Sequence, residues 1–323
     1  MLLYLSYERN KKQWNMRILI LSIVCGVACL LLAFRSKGTV QHSLVPGVLS
    51  LPEMSSGEID VLTYNIAGLP QWISSAKTPR ESSIVSIGQK INRFDLVNIQ
   101  EDFNYNKFLY RDNEHRYRTS NMGGVPFGDG LTTLSNYPII KFERIAWEDC
   151  NGADCLTPKG FSYARVELAK GVFLDVYNVH ATAQDDIQAT RARRANLQQL
   201  ALFVEEHSAC QPILLMGDFN AHYAFEREWI KEFQEKVDVI DSWVLLQNDG
   251  FFPEVVDEFN AQPALNVTNG CESIDKIYFR NSDRLLLHPT SYQVEHDLFQ
   301  NELGQPLSDH CAISLKLCWQ SVK

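Results

Sequence analysis

The sequence has no excess of positive charge. It contains 30 Lys and Arg residues against 39 Asp and Glu residues, so its net charge is -9. Proteins that bind duplex DNA by releasing condensed counterions usually present a basic surface. The charge balance therefore argues against duplex DNA as the main partner, although a local basic strip on an acidic protein remains compatible with it.

Several other patterns are absent. From Glu58 onward the chain has no internal repeat, no low-complexity tract and no obvious second domain boundary. It also lacks the paired Cys and His spacing of a zinc site. With 323 residues and 45% hydrophobic content, the chain can bury a large core. We expect one large domain over residues 58–323, preceded by a linker over residues 35–57.

The N-terminal part holds one long apolar run. Residues 18–34, ILILSIVCGVACLLLAF, carry no charge and are just long enough to span a bilayer. Basic residues concentrate before this run, which predicts a cytoplasmic segment over residues 1–17. An uncleaved transmembrane anchor and a cleaved signal peptide both remain open. In either case the main domain is expected outside the cytoplasm, membrane-anchored or secreted.

An extracytoplasmic domain is an oxidising setting, in which disulfides and glycosylation are expected. Of the cysteines after the apolar run, Cys150 and Cys155 enclose the turn-rich sequence NGAD and are the favoured pair. Asn266 begins an Asn-Val-Thr sequon, which is a glycosylation site if the source is eukaryotic.

Short patterns predict many more strands than helices. The predicted strands cover residues 59–67, 95–102, 130–140, 161–168, 172–182, 212–220, 275–280 and 311–319. The predicted helices cover residues 82–94, 187–208 and 227–237. Because many strands follow one another directly, the order favours mixed or antiparallel sheets covered by helices. The arginines within residues 191–194 are expected on a solvated helix face, and the Gly-rich residues 121–131 in a connector or a loop at the site rim.

Polar residues stand at the ends of the predicted strands. They are Asn65, Glu101, His180, Asp218, Asn220, Asp275, Asp309 and His310. Each alone is compatible with a turn or a cap. Together they are rich in the oxygen ligands that suit a hard cation, with Mg²⁺ favoured and Mn²⁺ or Ca²⁺ as alternatives. Two histidines add groups that titrate near neutrality, so the set predicts metal-assisted hydrolysis of a phosphate ester.

These residues belong to an ordered series of motifs. The series is LTYNIAG, LVNIQED, YNVHAT, GDFNAH, SIDKIYF and LSDHCAI. It resembles the endonuclease/exonuclease/phosphatase superfamily, whose fold is that of pancreatic deoxyribonuclease, over about Ile59 to Trp319. The resemblance implies an α+β fold: a four-layer α/β/β/α sandwich of two mixed β-sheets flanked by helices, with the active site at one edge of the sheets.

The resemblance also implies which residues hold the metal. Glu101 would be the main Mg²⁺ ligand, with Asn65 close by. Asp309 would be a further carboxylate at the metal or phosphate site.

The remaining residues are assigned to the chemistry by the same resemblance. Asp218 and Asn220 would orient the attacking water and the phosphate. His310 would be the general base, with its ring held by Asp275. His180 would contact the phosphate and assist the leaving oxygen.

One branch of the superfamily is favoured. Residues 154–168, DCLTPKGFSYARVEL, resemble the Lys-Gly segment of neutral and bacterial sphingomyelinases, which implies that Lys159 contacts a phosphate oxygen. The alternative is an exposed lysine in a turn. Phe251 and Phe252 fit either a membrane-contacting apolar hairpin or a packed core pair. The chain departs from this branch around Glu101, where QEDFN replaces the usual Glu-Ala-Phe.

These patterns together predict a Mg²⁺-dependent phosphodiesterase, acting as a monomer on a membrane phospholipid such as sphingomyelin. Alternatives of the same class are a secreted nuclease resembling deoxyribonuclease, which would bind nucleic acid, and a phosphoinositide phosphatase. The alternative of another class is a membrane-anchored binding protein that keeps the fold without the chemistry.

Overall fold

The computed structural model describes residues 40–42, 51–126, 128–256 and 259–322. The predicted segments at residues 1–17 and 18–34 lie outside these ranges, so the anchor and its topology stay predictions. Within the ranges described, no helix is both long enough and apolar enough to cross a membrane.

Within the described residues, several strands follow one another without an intervening α-helix. The strands are β1 Val40–His42, β2 Ser56–Asn65, β3 Leu96–Gln100, β4 Tyr117–Thr119, β5 Thr132–Ser135, β6 Ile139–Ala146, β7 Gly160–Ala169, β8 Val172–His180, β9 Ile213–Asp218, β10 Ile240–Asp241, β11 Asp275–Arg280, β12 Leu285–Val294 and β13 Ile313–Ser321. The helices are α1 Arg80–Lys90, α2 Asn106–Leu109, α3 Ile187–His207, α4 Ile230–Val237 and α5 Ser242–Gln247. Short 3-10 turns lie at Ile91–Arg93, Gly152–Leu156 and Ala264–Asn266.

The strands form two mixed sheets. The first has the order β1-β4-β5-β3-β2-β13-β12, and the second has the order β10-β11-β9-β8-β7-β6. Each sheet contains one parallel pair, β2 with β3 and β8 with β9, and its other neighbours are antiparallel. Residues of α1 share a core with the outer face of the first sheet, and residues of α3 and α4 pack on the second. The predicted four-layer α/β/β/α sandwich is confirmed.

Some elements differ from the sequence-based expectation. Residues 130–140 form β5 and β6, in different sheets, because the chain turns at Asn136–Pro138, where Pro138 cannot donate to a ladder. The strand β12 was not predicted, since a register shift between Pro289 and Ser291 interrupts its alternation. The strand β1 and the start of β2 fall within the predicted linker, so sheet structure begins before residue 58.

The expectation of a fully solvated arginine run is wrong for one residue. Arg193 is completely buried, whereas Arg191 and Arg194 are exposed. Its guanidinium pairs with Glu228 and donates to the backbone oxygens of Thr182 and Gln184, each at 2.7 Å. The reason is helical spacing, which places position 193 on the same face of α3 as the buried positions 197 and 200.

Between the two sheets, apolar side chains give way to polar ones toward one edge. Alternate residues of β2 run from Ile59 and Val61 to Thr63 and Asn65, all buried. The same change occurs along β3 and β8, because side chains two residues apart share a face. The edge where these strands end is therefore lined by polar groups.

Buried carboxamides join the two sheets in this polar region. Gln100 Nε2 donates to Asn178 Oδ1 at 2.7 Å. Asn178 Nδ2 in turn donates to the backbone oxygens of Ile99 at 3.0 Å and Thr132 at 3.1 Å. Asn98 Nδ2 donates to the backbone oxygen of Tyr177 at 2.9 Å. These contacts fix the position of one sheet against the other.

We predict that Asn178→Leu destabilises the domain by about 3 kcal/mol or more. The substitution removes the Asn178 bonds to the Gln100 amide, which keeps only Thr63 Oγ1 at 3.1 Å, and to two buried backbone oxygens, at about 1–3 kcal/mol for each group left unsatisfied. Urea unfolding measures the effect. Gln320→Leu is the matched control, since Gln320 is exposed on β13 and its substitution should stay within about 0.5 kcal/mol of wild type. Equal unfolding midpoints for the two variants would contradict the prediction.

Candidate metal-dependent active site

Strand ends from both sheets meet at the polar edge. Asn65 ends β2 opposite Gln100 of β3, and His180 ends β8 opposite Asp218 of β9. Asp275 begins the antiparallel neighbour β11 opposite Asp218. Parallel neighbours end at the same edge of a sheet, so topology places the polar groups of each sheet at one edge, and the packing of the two sheets brings the two sets together.

Asn65 connects carboxylates contributed by the two sheets. Its Nδ2 donates to Glu101 Oε1 at 3.2 Å and to Asp218 Oδ2 at 3.1 Å. Its Oδ1 accepts from the backbone N–H of Ala67 at 3.1 Å, which fixes the orientation of the amide. Both carboxylates are therefore held toward the same point.

His310 and Asp275 form a hydrogen-bonded pair beside these carboxylates. His310 Nδ1 lies 2.9 Å from Asp275 Oδ2, and His310 Nε2 lies 3.8 Å from Asp218 Oδ2. A carboxylate at Nδ1 selects the tautomer that carries hydrogen there and, in the neutral ring, a lone pair on Nε2. The predicted pairing of these two residues is thus present.

Burial and charge shift the pKa values of this pair. Burial raises the pKa of Asp275 to about 6, against the opposing charge of His310. Burial also disfavours the charged imidazole, but Asp275 and Asp218 outweigh it and raise the pKa of His310 well above 6.5. The pair therefore holds a proton tightly while the surrounding negative charge is uncompensated.

His180 is fully buried and also lies next to Asp218. Its Nε2 is 3.6 Å from Asp218 Oδ2, and its Nδ1 has no hydrogen-bond partner within the described part of the chain. Trp147 Nε1 donates to its backbone oxygen at 2.7 Å. Burial, reinforced by the charge of Lys159, lowers the pKa of His180 well below 6.5, so its ring is neutral at physiological pH.

Asn220 and Lys159 converge on one backbone oxygen. Asn220 Nδ2 donates to the oxygen of Ala181 at 3.2 Å, and Lys159 Nζ approaches the same atom at 3.5 Å. Lys159 also pairs with Asp154 Oδ2 at 3.1 Å. Lys159 is only 9% exposed, so the alternative of an exposed turn lysine is wrong.

A disulfide stabilises the part of the site that contains Lys159. Cys150 and Cys155 are bonded, as predicted. The loop between them carries Asp154, whose Oδ2 accepts from the backbone N–H of Ala183 at 2.7 Å as well as from Lys159. The disulfide loop is therefore joined to the segment that follows His180.

Glu101 is held in an unusual backbone conformation by a neighbour that sequence reasoning did not single out. Its φ is +59°, a region that non-glycine residues rarely occupy. The next residue, Asp102, is buried, and its carboxylate accepts from Tyr110 Oη at 2.5 Å, Thr132 Oγ1 at 2.8 Å and Asn106 Nδ2 at 2.8 Å. The two adjacent acidic residues of the QED sequence were the available signal for this support. Only the structure distinguishes the carboxylate that faces the site, Glu101, from the buried carboxylate that supports it, Asp102.

The Gly-rich segment packs against Glu101. At Gly130, where φ is +67°, an added Cβ would lie 3.0 Å from Glu101 Cα and 2.7 Å from the Phe103 ring. The Gly130 oxygen accepts from the backbone N–H of Asp102 at 2.9 Å, and Asn121 Nδ2 donates to the Asp102 oxygen at 2.8 Å. The segment therefore lines the site rim, as one of the two predictions proposed.

In the described residues around the two phenylalanines, no β-hairpin forms. Residues 248–255 form turns and irregular structure. Phe252 packs against Tyr223, with ring centroids 4.9 Å apart, whereas Phe251 is 72% exposed. The core-pair prediction therefore holds for Phe252 alone.

The residues present fit a hard divalent cation. Four carboxylates share the site: Glu101, Asp218, Asp275 and Asp309. Burial and the charge of Asp309 raise the pKa of Glu101, which shows that the negative groups repel one another. Asp275 Oδ1 is buried without a hydrogen bond in the described structure. Oxygen ligands with unmet negative charge are the donor set of Mg²⁺, Mn²⁺ or Ca²⁺.

Two groups of side chains could hold such an ion. One is Glu101 with Asn65, the pair implied by the family resemblance. The other is Asp218, Asp275 and His310, whose potential ligand atoms lie within 4.8 Å of one another. The two groups adjoin through the contact between Asn65 and Asp218.

The fold is a four-layer sandwich that holds carboxylates and histidines able to bind a cation at one edge, and comparison with known proteins identifies its family. The model of the Endonuclease/Exonuclease/phosphatase family matches residues 62–310. The chain belongs to this family.

A sphingomyelinase of Mycobacterium tuberculosis is 36% identical over 262 residues, which cover 79% of this chain and 51% of that protein. The chain spans about half the length of the curated relatives it matches. The predicted resemblance to the family and to its sphingomyelinase branch is confirmed.

Solved structures share the fold at low sequence identity. A beta toxin mutant from Staphylococcus aureus with bound magnesium ions has a TM-score of 0.55 and 16% identity, covering 83% of this chain and 100% of that chain. D. rerio TDP2 complexed with a single-strand DNA product has a TM-score of 0.55 and 14% identity, covering 80% and 98%. Such different contexts show that the fold alone does not select a substrate.

We predict that Glu101→Gln weakens Mn²⁺ and Mg²⁺ binding by about 10-fold or more, because loss of a metal ligand should cost at least as much as loss of a supporting group, about 10- to 100-fold. The substitution removes a charge but keeps the shape of the side chain. Isothermal titration calorimetry on metal-free protein measures it.

Glu206→Gln is the control, because Glu206 is 80% exposed on α3. Asp218→Asn tests the other ligand group. Unchanged binding by Glu101→Gln, with binding lost in Asp218→Asn, would place the ion in the Asp218, Asp275 and His310 group instead.

Proposed function

We propose that the protein is a Mg²⁺-dependent phosphodiesterase that hydrolyses a membrane phospholipid, with sphingomyelin as the substrate. The central observation is that Asp218 lies between the His310–Asp275 pair and the Asn65–Glu101 pair. A histidine base and an oxygen-rich ion site thus adjoin at one carboxylate. The sphingomyelinase relatives support the choice of substrate.

His310 is the general base of this proposal. Asp275 orients the ring, and Nε2 takes a proton from the attacking water. His310 can accept that proton only when the negative charge around it is compensated, because Asp275 and Asp218 otherwise keep the ring protonated. The water oxygen bonds to phosphorus as the bond from phosphorus to the ceramide oxygen breaks. The ceramide oxygen takes up a proton from solvent, His310 later returns its proton to solvent, and ceramide and phosphocholine are released.

Other side chains hold the phosphate during this step. Asn220 and Asp218 orient the phosphate and the water. The neutral ring of His180 hydrogen-bonds the phosphate and assists the leaving oxygen, which is compatible with its unpartnered Nδ1. Lys159 offers a positive charge to a phosphate oxygen, in competition with Asp154.

Glu101, Asn65 and Asp309 would bind the cation. When bound, Mg²⁺ supplies charge compensation and polarises the phosphoryl oxygen. A beta toxin structure with bound magnesium ions shares the fold, and Mg²⁺ is therefore the ion proposed first, with Mn²⁺ and Ca²⁺ as alternatives.

We also propose that the domain acts outside the cytoplasm, either membrane-anchored or secreted, and as a monomer. The apolar run at residues 18–34 supports the first statement.

We predict that His310→Ala lowers phosphocholine release from sphingomyelin liposomes by about 100-fold or more, the usual contribution of a general base. His288→Ala is the control, because His288 is exposed on β12. The full chain is assayed with Mg²⁺ and with EDTA.

Plasmid DNA and a soluble phosphoinositide are offered in parallel assays. Cleavage of either one, with sphingomyelin untouched, would keep the site chemistry and replace the substrate. No hydrolysis of any ester would favour the binding-protein alternative. Wild-type activity in His310→Ala would refute the assignment of the base.

A further inference from the structure

A turn beside the active site presents large apolar side chains to solvent. Trp72 is 84% exposed and Ile73 is 43% exposed. Exposing them is unfavourable, since burying an aliphatic or aromatic side chain of this size gains about 1.5–3 kcal/mol. Tryptophan is also the side chain most suited to the boundary between water and lipid.

The exposure results from an ordered backbone. The N–H groups of Ile73 and Ser74 both donate to the oxygen of Pro70, at 2.9 and 3.0 Å. Gln71 N–H donates to Tyr105 Oη at 3.0 Å. The turn therefore holds Trp72 and Ile73 outward in a fixed geometry.

The turn is attached directly to the site. Ser74 Oγ donates to the oxygen of Ala67, whose own N–H donates to Asn65 Oδ1. The buried guanidinium of Arg80 donates to the oxygens of Ile66 at 2.7 Å and Leu307 at 2.8 Å. These contacts join the turn to the segment that leads into Asp309 and His310.

A second exposed apolar tip precedes that segment. Leu303 is 82% exposed in the loop before Pro306. Thr78 Oγ1 donates to the Pro306 oxygen at 3.0 Å, so this loop contacts the segment that carries Trp72. Both apolar tips thus border the site.

An open groove lies next to the turn. Its volume is about 660 Å³, and its lining includes Gln71, Pro79, Val85, Tyr105 and Phe108. The groove adds apolar and aromatic surface, interrupted by charged groups such as Arg80 and Glu81, to that of the two tips. Its size is within the range of small-molecule sites, about 300–1,000 Å³.

Charged groups of both signs lie around this surface. The basic groups are Lys77, Arg80, Lys107 and Arg111, and the acidic groups are Glu81, Asp112 and Glu302, so the two signs nearly cancel. The whole chain, in contrast, carries a net charge of -9. Anionic membranes select clusters of basic residues, whereas a neutral, aromatic surface matches zwitterionic headgroups.

We propose that the Trp72 surface, comprising Trp72, Ile73, Leu303 and the groove, docks on a bilayer of zwitterionic phospholipid and presents the active site to the headgroups. The inference rests on the proposed function in one respect, namely that the substrate lies in a bilayer. The sequence motifs did not point to this surface, and Phe251 is not part of it.

Tryptophan quenching tests the docking without hydrolysis. The full chain is mixed with phosphatidylcholine–sphingomyelin vesicles that contain brominated phosphatidylcholine, in EDTA. We expect a quenched emission component that Trp72→Phe removes and that Trp319→Phe, a substitution of a buried tryptophan, retains. This comparison isolates Trp72 from any other tryptophan that meets the membrane. The component should persist at high salt and without anionic lipid.

Kinetics supplies the second readout. The double variant Trp72→Ala/Ile73→Ser should hydrolyse bilayer sphingomyelin about 10-fold more slowly or worse, since 1.4 kcal/mol corresponds to a factor of ten. It should hydrolyse a soluble phosphocholine ester at the wild-type rate. Phe251→Ala is the control, because Phe251 is the other exposed aromatic residue considered for membrane contact. This variant should hydrolyse both substrates at the wild-type rate.

The outcomes separate the two proposals. Quenching of Trp72 without hydrolysis of any phosphocholine ester would support docking and refute the proposed function. Hydrolysis of sphingomyelin without quenching of Trp72 would do the reverse. Loss of bilayer activity in Phe251→Ala alone, or shielding of Trp72 by self-association in solution, would overturn the Trp72 surface as the membrane contact.

Discussion

The buried hydrogen bond between Gln100 and Asn178 is the contact on which the site geometry depends. Together with the bonds of Asn98 and Asn178 to backbone oxygens of the facing sheet, it joins the inner faces of two sheets whose contact away from the polar edge is apolar packing, which is strong but not directional. A carboxamide pair has one good geometry, so it sets how far one sheet can slide over the other. Asn65 of the first sheet can then reach Asp218 of the second at 3.1 Å. A small displacement would break that contact.

The site holds several negatively charged groups close together, which is electrostatically unfavourable. Glu101 occupies a left-handed backbone conformation, and burial raises the pKa values of both Glu101 and Asp275. Rigid surroundings sustain this arrangement: Asp102 is hydrogen-bonded on one side of Glu101 and Gly130 packs on the other. Such strain persists only where neighbouring structure over-determines it, which is typical of functional sites.

Much of the fold could be predicted from local patterns, because period-two alternation and helical spacing are properties of short segments. The sequence-based predictions were wrong where the burial of a residue depends on a partner that is distant in the sequence. Arg193 is buried because its guanidinium pairs with Glu228. Lys159 is buried because Asp154 and the Ala181 oxygen accept hydrogen bonds from its ammonium group. The strand β12 was missed because its alternation breaks, although pairing with β13 restores the ladder around the irregularity.

The sequence by itself determined which chemical groups stand at the strand ends, since motif residues such as Asn65, Asp218 and His310 can be read in order along the chain. It also indicated the family, the sandwich and the short disulfide. Only the tertiary structure decided which groups touch: Asn65 and Asp218 are 153 positions apart, and no local pattern encodes their contact. The same holds for the support of Glu101 by Asp102 and for the exposure of Trp72. Burial and hydrogen bonding depend on the whole packed chain, whereas residue identity does not.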